Sequence, residues 1–268
     1  MSQRATPLKV AVLCSHRAPG LVQLLNTDRR RGADYEILCC VTSADTFAEE
    51  VKVERRGVPC LPHPIRSWCS AHGTPLRDLE ARAVYDAETL KLLEPFNPDL
   101  LLLDGYLLLL TAPVLRRFDG RIVNVHHSDL MQRDGSGRPR YPGLRAVRDA
   151  IVGGEAETRA TAHIVTEQLD AGPVLLRSWR FPISPLAGWA RAHETEDVLR
   201  AYAWAHQEWM LRSGWPVMLA RTIELASLSL RAAGRPLSLQ SAGRWMLSEE
   251  GSLVPDEAAS ADRLQATG

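Results

Sequence analysis

The chain has 268 residues, with 32 basic and 32 acidic side chains and a formal net charge of +0 at pH 7. This length can bury a sizeable apolar core, and the balanced charge favours neither a nucleic acid nor an anionic membrane as partner. The five cysteines include no Cys-x-x-Cys pair. The N-terminal residues lack the apolar core of a secretory leader, and no apolar run is long enough to span a bilayer, so we expect a cytoplasmic protein.

The N-terminal half predicts strands that alternate with helices. The predicted strands, which are rich in apolar residues, cover 8–14, 35–41, 57–61 and 99–105. The predicted helices begin at Leu21, cover 46–56 and 76–94, and start again at 111–113, whereas 64–74 has no clean period and predicts a loop. This alternation is typical of right-handed βαβ units, so we expect an α/β fold with a doubly wound, mostly parallel sheet.

The C-terminal half continues the pattern and then changes. A fifth strand is predicted at 122–126, and the polar, Gly- and Pro-rich loop 129–143 follows it, either as a lid over a substrate or as an insertion without a role. Further strands are predicted at 159–166 and 173–181, further helices at 144–152, 194–211 and 216–228, a hairpin from 237–239 and 244–247, and a frayed tail from Glu249. We therefore expect an α/β domain over 1–230 and a hairpin with a disordered tail over 231–268.

Candidate catalytic side chains stand where the fifth strand ends. Asn124 and His126 are two residues apart, so they share one face of the strand and can present an amide and an imidazole to one small volume. Asp170 lies in a loop between two later strands, at the same expected edge of the sheet. Each residue alone also has a structural interpretation, as a satisfied histidine or a turn former. No metal site is expected, because His63 and His72 lack a cluster of partner ligands.

The pattern of these residues is similar to a known family. Asn124-Val125-His126, the segments 143–147 and 160–165, and Leu169-Asp170-Ala171-Gly172-Pro173 resemble the formyltransferase family typified by glycinamide ribonucleotide transformylase. The resemblance covers about residues 8 to 230. It implies the Rossmann-like formyltransferase fold and transfer of a formyl group from 10-formyltetrahydrofolate to a primary amine of a small acceptor, as in purine biosynthesis.

The resemblance also implies roles for individual residues. Asn124 and protonated His126 would donate hydrogen bonds to the oxyanion, Asp170 would orient the imidazole and assist proton transfer, and His163 would have a supporting role. The residues implied to contact the folate are Tyr106, Leu108, Leu110, Val165, Glu167 and Leu169. The residues implied on the acceptor side are Arg17, Ser128 and Glu208.

The acceptor side departs from the family pattern. The family's Gly-Ser-Asn phosphate-binding turn is replaced by His16-Arg17-Ala18-Pro19-Gly20, in which Pro19 has no N–H to donate. Arg17 remains able to bind a phosphate through its guanidinium. The acceptor is therefore either glycinamide ribonucleotide or a divergent amine. A 10-formyltetrahydrofolate hydrolase and a non-catalytic folate-binding paralogue remain as alternatives, and the oligomeric state, monomer or homodimer, stays open.

Overall fold

Eleven strands are found in the computed structural model, which describes residues 6–232, 239 and 244–256. The strands are β1 (Leu8–Cys14), β2 (Tyr35–Thr42), β3 (Cys60–Pro62), β4 (Leu100–Leu103), β5 (Ile122–His126), β6 (Glu157–Thr158), β7 (Thr161–Ile164), β8 (Val174–Arg177), β9 (Phe181–Pro182), β10 (Trp245–Leu247) and β11 (Leu253–Pro255).

Nine α-helices connect and cover these strands within the same described ranges. They are α1 (Leu21–Thr27), α2 (Glu50–Glu54), α3 (Ile65–Ala71), α4 (Leu79–Leu93), α5 (Ala112–Arg117), α6 (Ala146–Val152), α7 (Pro185–Ala192), α8 (Glu196–Ser213) and α9 (Trp215–Ala232). None of these helices is long and apolar enough to cross a membrane.

The sheet confirms the predicted mostly parallel, doubly wound α/β fold. Nine strands pair in the order β11-β10-β8-β7-β5-β4-β1-β2-β3, and β6 pairs with β9 separately. From β3 to β5 every pairing is parallel, whereas β7 runs antiparallel to both β5 and β8. The chain order reverses between β1 and β4, so the carboxyl ends of these strands form the crevice in which open α/β sheets bind ligands.

Apolar residues on both faces explain why β1 and β4 lie at the centre. Val10 and Val12 pack into the core cluster that includes residues of α1 and α9, while Ala11 and Leu13 pack into a second cluster on the opposite face. All four side chains are fully buried. A strand covered on both sides needs a continuous apolar run, which is the pattern of a parallel sheet.

Two helices were absent from the sequence-based prediction. The expected loop at 64–74 is wrong, because Ile65 and Cys69, one helical turn apart, are both buried and stabilise α3. The second helix, α7, begins after Ser184, whose side chain accepts a hydrogen bond from Leu186 N, and has Pro185 in its first turn. Serine before proline is a helix-start signal that the prediction overlooked.

The C-terminal hairpin consists of a different pair of strands from the one expected. Strand β10 confirms the predicted strand at 244–247, but it pairs with β11, and residues 237 and 238 lie outside the described residues. The expectation of a frayed tail directly from Glu249 is wrong for Leu253–Pro255. The polar residues after β10 form a turn, in which Gly251 has a φ of 78° and donates its N–H to Ser248 O. Since β10 pairs in parallel with β8, this hairpin extends the central sheet.

Candidate active site

The end of β5 presents Asn124 and His126 to the same side of the sheet. In the antiparallel pairing with β7, Asn124 lies opposite His163 and its Nδ2 is 3.2 Å from His163 Nε2. His126 is 6% exposed, and Asn124 is half-buried. The strand register thus places an amide and two imidazoles together, as the i and i+2 spacing predicted for the first two.

Asp170 reaches these residues because its loop turns sharply. Its φ of 52° lies in the left-handed region, which aspartate tolerates better than most residues. Gly172 follows, where any Cβ would lie 1.8 Å from the carbonyl oxygen of Ile164, so only glycine fits. The Asp170 carboxylate lies 3.5 Å from His126 Nδ1 and 3.6 Å from His163 Nε2. It therefore faces both imidazoles at once.

The hydrogen bond of His126 Nε2 determines which ring nitrogen carries the proton of the neutral imidazole. His126 Nε2 lies 3.1 Å from the backbone carbonyl oxygen of Tyr141. A carbonyl only accepts hydrogen bonds, so Nε2 carries a proton and Nδ1 is the nitrogen that faces Asp170. A neutral His126 presents a free Nδ1 lone pair, and a protonated His126 presents a second N–H at Nδ1, with the Asp170 carboxylate 3.5 Å away. The ring can thus change from acceptor to donor at a single atom.

His163 is a buried histidine whose ring is neutral at neutral pH. Burial lowers its pKa to about 4, although the charge of Asp170 opposes that shift. Its Nδ1 lies 3.1 Å from the carbonyl oxygen of Ile164 and donates to it, so Nε2 accepts one N–H of Asn124. That bond fixes the orientation of the Asn124 amide and leaves its second N–H for another acceptor. The structure brings this predicted supporting residue into direct contact with Asn124.

The loop over 129–143 packs against the same group of residues through its backbone. Ser128 Oγ donates to the carbonyl oxygen of Tyr141 at 2.8 Å, and Gly143 N donates to Asp170 Oδ2 at 2.7 Å. At the start of the loop, Asp129 is paired with Arg177 at 2.9 Å. Sequence reasoning missed Tyr141 and Gly143 because they act through main-chain atoms, which no side-chain pattern shows.

Residues 106–111, here called the rim segment, use alternate backbone groups to bind the protein. Leu107 N donates to Ser15 Oγ at 3.1 Å, and the carbonyl oxygen of Leu109 accepts from Arg82 Nη2 at 2.5 Å. Thr111 N and Oγ1 both donate to Asp86 Oδ2 at 2.6 Å.

The remaining backbone groups of the rim segment are free. Within the described residues, the N–H and C=O groups of Leu108 and Leu110 have no hydrogen-bond partner. They leave a row of unpaired backbone donors and acceptors along this segment. Arg82 and Asp86 were not predicted, although their four-residue spacing on a predicted helix was a readable signal.

The residues predicted to contact the folate lie in three different settings. Tyr106, Leu110 and Val165 pack in one apolar cluster, while Glu167 and Leu169 are exposed. Leu108 is half-buried beside a separate small cluster.

Arg17 and Glu208, which were predicted to lie on the acceptor side, form an ion pair with an N–O distance of 2.9 Å. Across the residues that the structure describes, no group of three or more His, Cys, Asp or Glu side chains could hold a metal ion. His63 stacks on Tyr85 and His72 on Trp68.

Comparisons with known proteins identify the relatives of this arrangement. Residues 8–188 match the family profile described as "Formyl transferase". The chain is 30% identical over 187 residues to the trifunctional purine biosynthetic protein adenosine-3 of Drosophila melanogaster. The matched region covers 69% of this chain but only 12% of that protein. It is 33% identical over 99 residues to the phosphoribosylglycinamide formyltransferase of Escherichia coli, which covers 37% of this chain and 43% of that enzyme.

Solved structures share the fold. The phosphoribosylglycinamide formyltransferase of Bacillus halodurans superposes with a TM-score of 0.59 at 22% identity, covering 81% of this chain and 96% of the other. A formyltetrahydrofolate deformylase from Pseudomonas syringae superposes with a TM-score of 0.54 at 22% identity, covering 77% of this chain and 62% of the other. At these identities the likeness shows the fold alone.

Proposed function

The chain belongs to the formyl transferase family, and from that premise we propose that it transfers a formyl group from 10-formyltetrahydrofolate to a primary amine of a small acceptor. The observation that carries this proposal is the chain of polar contacts that joins Asn124 to His163 at 3.2 Å, His163 to Asp170 at 3.6 Å and Asp170 to His126 at 3.5 Å. An amide donor, an ionisable imidazole and a carboxylate are the groups that acyl transfer to an amine requires.

The chemistry begins with attack of the amine nitrogen on the formyl carbon, which forms a C–N bond and places negative charge on the formyl oxygen. Asn124 offers its second N–H to this oxyanion, and His126 offers the proton on Nδ1. The 3.5 Å separation between Nδ1 and Asp170 is longer than a normal hydrogen bond, so this proton can reach the oxyanion instead. Each donor contributes about 3 kcal/mol of transition-state stabilisation.

Proton transfer completes the reaction. The attacking nitrogen becomes positively charged and must lose a proton, whereas N10 of the folate must gain one when its bond to the formyl carbon breaks. Asp170, 6% exposed, lies beside both imidazoles and is placed to accept the first proton, directly or through a water, and to pass it on. The products are the formamide and tetrahydrofolate, so atoms and charge balance.

The rim segment fits the bicyclic pterin of the folate. A pterin carries donors and acceptors along one edge, and the free backbone groups of Leu108 and Leu110 form a complementary row. The side chain of Leu110 packs with Tyr106 and Val165 in one apolar cluster, which anchors this part of the segment. We assign Glu167 and Leu169, both exposed in the loop before Asp170, to the outer side of the same site.

The acceptor binds on the other side of His126. We assign Ser128, Arg17 and Glu208 to this side. The relatives named phosphoribosylglycinamide formyltransferase make glycinamide ribonucleotide the first acceptor to test, and other small amines are the alternative.

The test incubates the purified protein with 10-formyltetrahydrofolate and a panel of amines, including glycinamide ribonucleotide and amino sugars. Tetrahydrofolate release and formation of the N-formyl product are followed together. We expect release that depends on one amine and matches its formylation mole for mole. Release without any amine would indicate hydrolysis, as in the deformylase neighbour, and absence of both release and folate binding would refute the enzyme assignment.

A further inference from the structure

We propose that the acceptor amine carries no phosphate in the crevice between β1 and β4, because the Asp104 carboxylate already occupies the anion position there. As a statement about which substrate is accepted, this inference rests on the proposed formyl transfer. It restricts the acceptor to amines that place no anionic group in the crevice between β1 and β4.

Asp104 follows directly after β4 and is fully buried. Its Oδ2 accepts hydrogen bonds from Gly20 N at 3.0 Å and from Leu21 N at 2.8 Å, where α1 begins. Its Oδ1 accepts from Trp215 Nε1 at 2.9 Å. Three N–H donors, from two segments distant in sequence, are thus directed at one carboxylate.

These backbone N–H groups are the ones that a bound anion would need. They lie at the carboxyl end of β1, where the strand order reverses, and backbone N–H groups at such a place bind phosphates in many α/β proteins. Here a side chain of the protein uses them. A phosphate entering the crevice would find Gly20 and Leu21 already bonded and Pro19 without an N–H. Burial raises the pKa of Asp104 to about 7, so above that pH the phosphate would also meet the negative charge of this carboxylate.

The nearby cation is also engaged. Arg17, the residue that remained able to bind a phosphate, is paired with Glu208 Oε1 at 2.9 Å, and Arg212 lies 3.7 Å from the other oxygen of Glu208. Glu49 accepts a hydrogen bond from Ala18 N at 3.2 Å, which adds a further acidic group to the same turn. The β1–α1 turn is therefore surrounded by three carboxylates.

Packing against α9 keeps this arrangement closed. The Trp215 indole that binds Asp104 also stacks on His127, with ring centroids 4.1 Å apart. A Cβ on Gly20 would lie 2.2 Å from Leu219 Cδ1, so the start of α1 is in direct contact with α9. The carboxylate is held by a packed core and not by a mobile surface loop.

One arm of the test compares glycinamide ribonucleotide with its dephosphorylated riboside as acceptors, by kcat/KM. A preference for the ribonucleotide above about tenfold would overturn the inference, and any smaller ratio supports it. If the protein formylates another amine but neither of these two compounds, the proposed function stands and the second arm of the test decides the inference.

The second arm needs no turnover, so it stays informative if the proposed function fails. The thermal unfolding temperature is measured in inorganic phosphate and in chloride of equal ionic strength. We expect no phosphate-specific rise for the wild type, and such a rise would overturn the inference. Asp104→Ser should gain one, and a folded Asp104→Ser without it would show that Asp104 is not what excludes phosphate. Asp99→Ser is the matched control, because Asp99 accepts from Lys9 N at the opposite end of β4. If Asp104→Ser does not fold, the wild-type measurement decides alone.

Discussion

Replacing His127 by leucine should reduce the amount of unfolding free energy that the protein loses as the pH falls below 6.5. His127 stacks on Trp215, and its Nε2 is buried without a hydrogen-bond partner among the described residues. Burial, helped by the charge of His126, lowers the pKa of His127 to about 3, whereas an exposed histidine titrates near 6.5. Below pH 6.5 the unfolded chain therefore takes up a proton that the folded protein excludes.

The sign and size of the effect follow from this difference. The contribution of a neutral His127 is fully present above pH 6.5 and is lost as the pH falls from 6.5 toward 3. Each pH unit in that window costs about 1.4 kcal/mol, so at pH 5 the free energy of unfolding falls by about 2 kcal/mol from this residue. Asp104 acts in the opposite direction, because burial raises its pKa to about 7 and the folded protein takes up its proton first.

A variant separates the two effects. Urea unfolding, followed by circular dichroism at pH 8 and pH 5, gives the loss of unfolding free energy for the wild type and for His127→Leu. The variant should lose about 2 kcal/mol less than the wild type, whatever its stability at pH 8. His16→Asn is the control, since His16 is exposed and should leave the difference unchanged. Equal losses in the wild type and His127→Leu would refute the reasoning.

Three further substitutions test the site. Asn124→Leu should lower kcat/KM about 100-fold, because one oxyanion donor is lost, while fluorescence titration shows folate binding within about twofold of wild type. Arg82→Met should weaken folate binding about tenfold, because the rim segment loses the donor to one carbonyl; unchanged binding, or an equal effect of the exposed control Arg77→Met, would contradict the assignment. Gly172→Ala should displace Asp170 and cost about 3 kcal/mol of unfolding free energy, measured by urea denaturation.

The sequence predicted the parts of the fold that have a strong local signal. The apolar runs of β1 and β4 showed that both are covered on two faces, and the end of β5 placed Asn124 and His126 on one side. Helix α3 escaped prediction because its seven residues include only two buried apolar positions and follow a proline. Short helices are determined by their packing more than by their own periodicity.

The candidate site was predictable where side chains follow strand ends, and not where contacts join distant parts of the chain. The position of Asp104 after β4 was visible, but its donors lie 84 and 111 residues away and no local pattern indicates them. The contribution of Tyr141 is a carbonyl oxygen, which every residue carries. The sequence could therefore predict the chemical groups but not the contacts that orient them.

The rate of amine-dependent tetrahydrofolate release by His126→Ala tests the central claim most directly, once an acceptor is known from the panel. Loss of the imidazole removes the Nδ1 proton that faces the oxyanion and Asp170, so we expect kcat to fall at least about 100-fold with unchanged folate binding. His193→Ala, an exposed histidine on the surface, should retain the wild-type rate. A His126→Ala rate within about threefold of wild type, a change of only about 0.7 kcal/mol, would contradict the account.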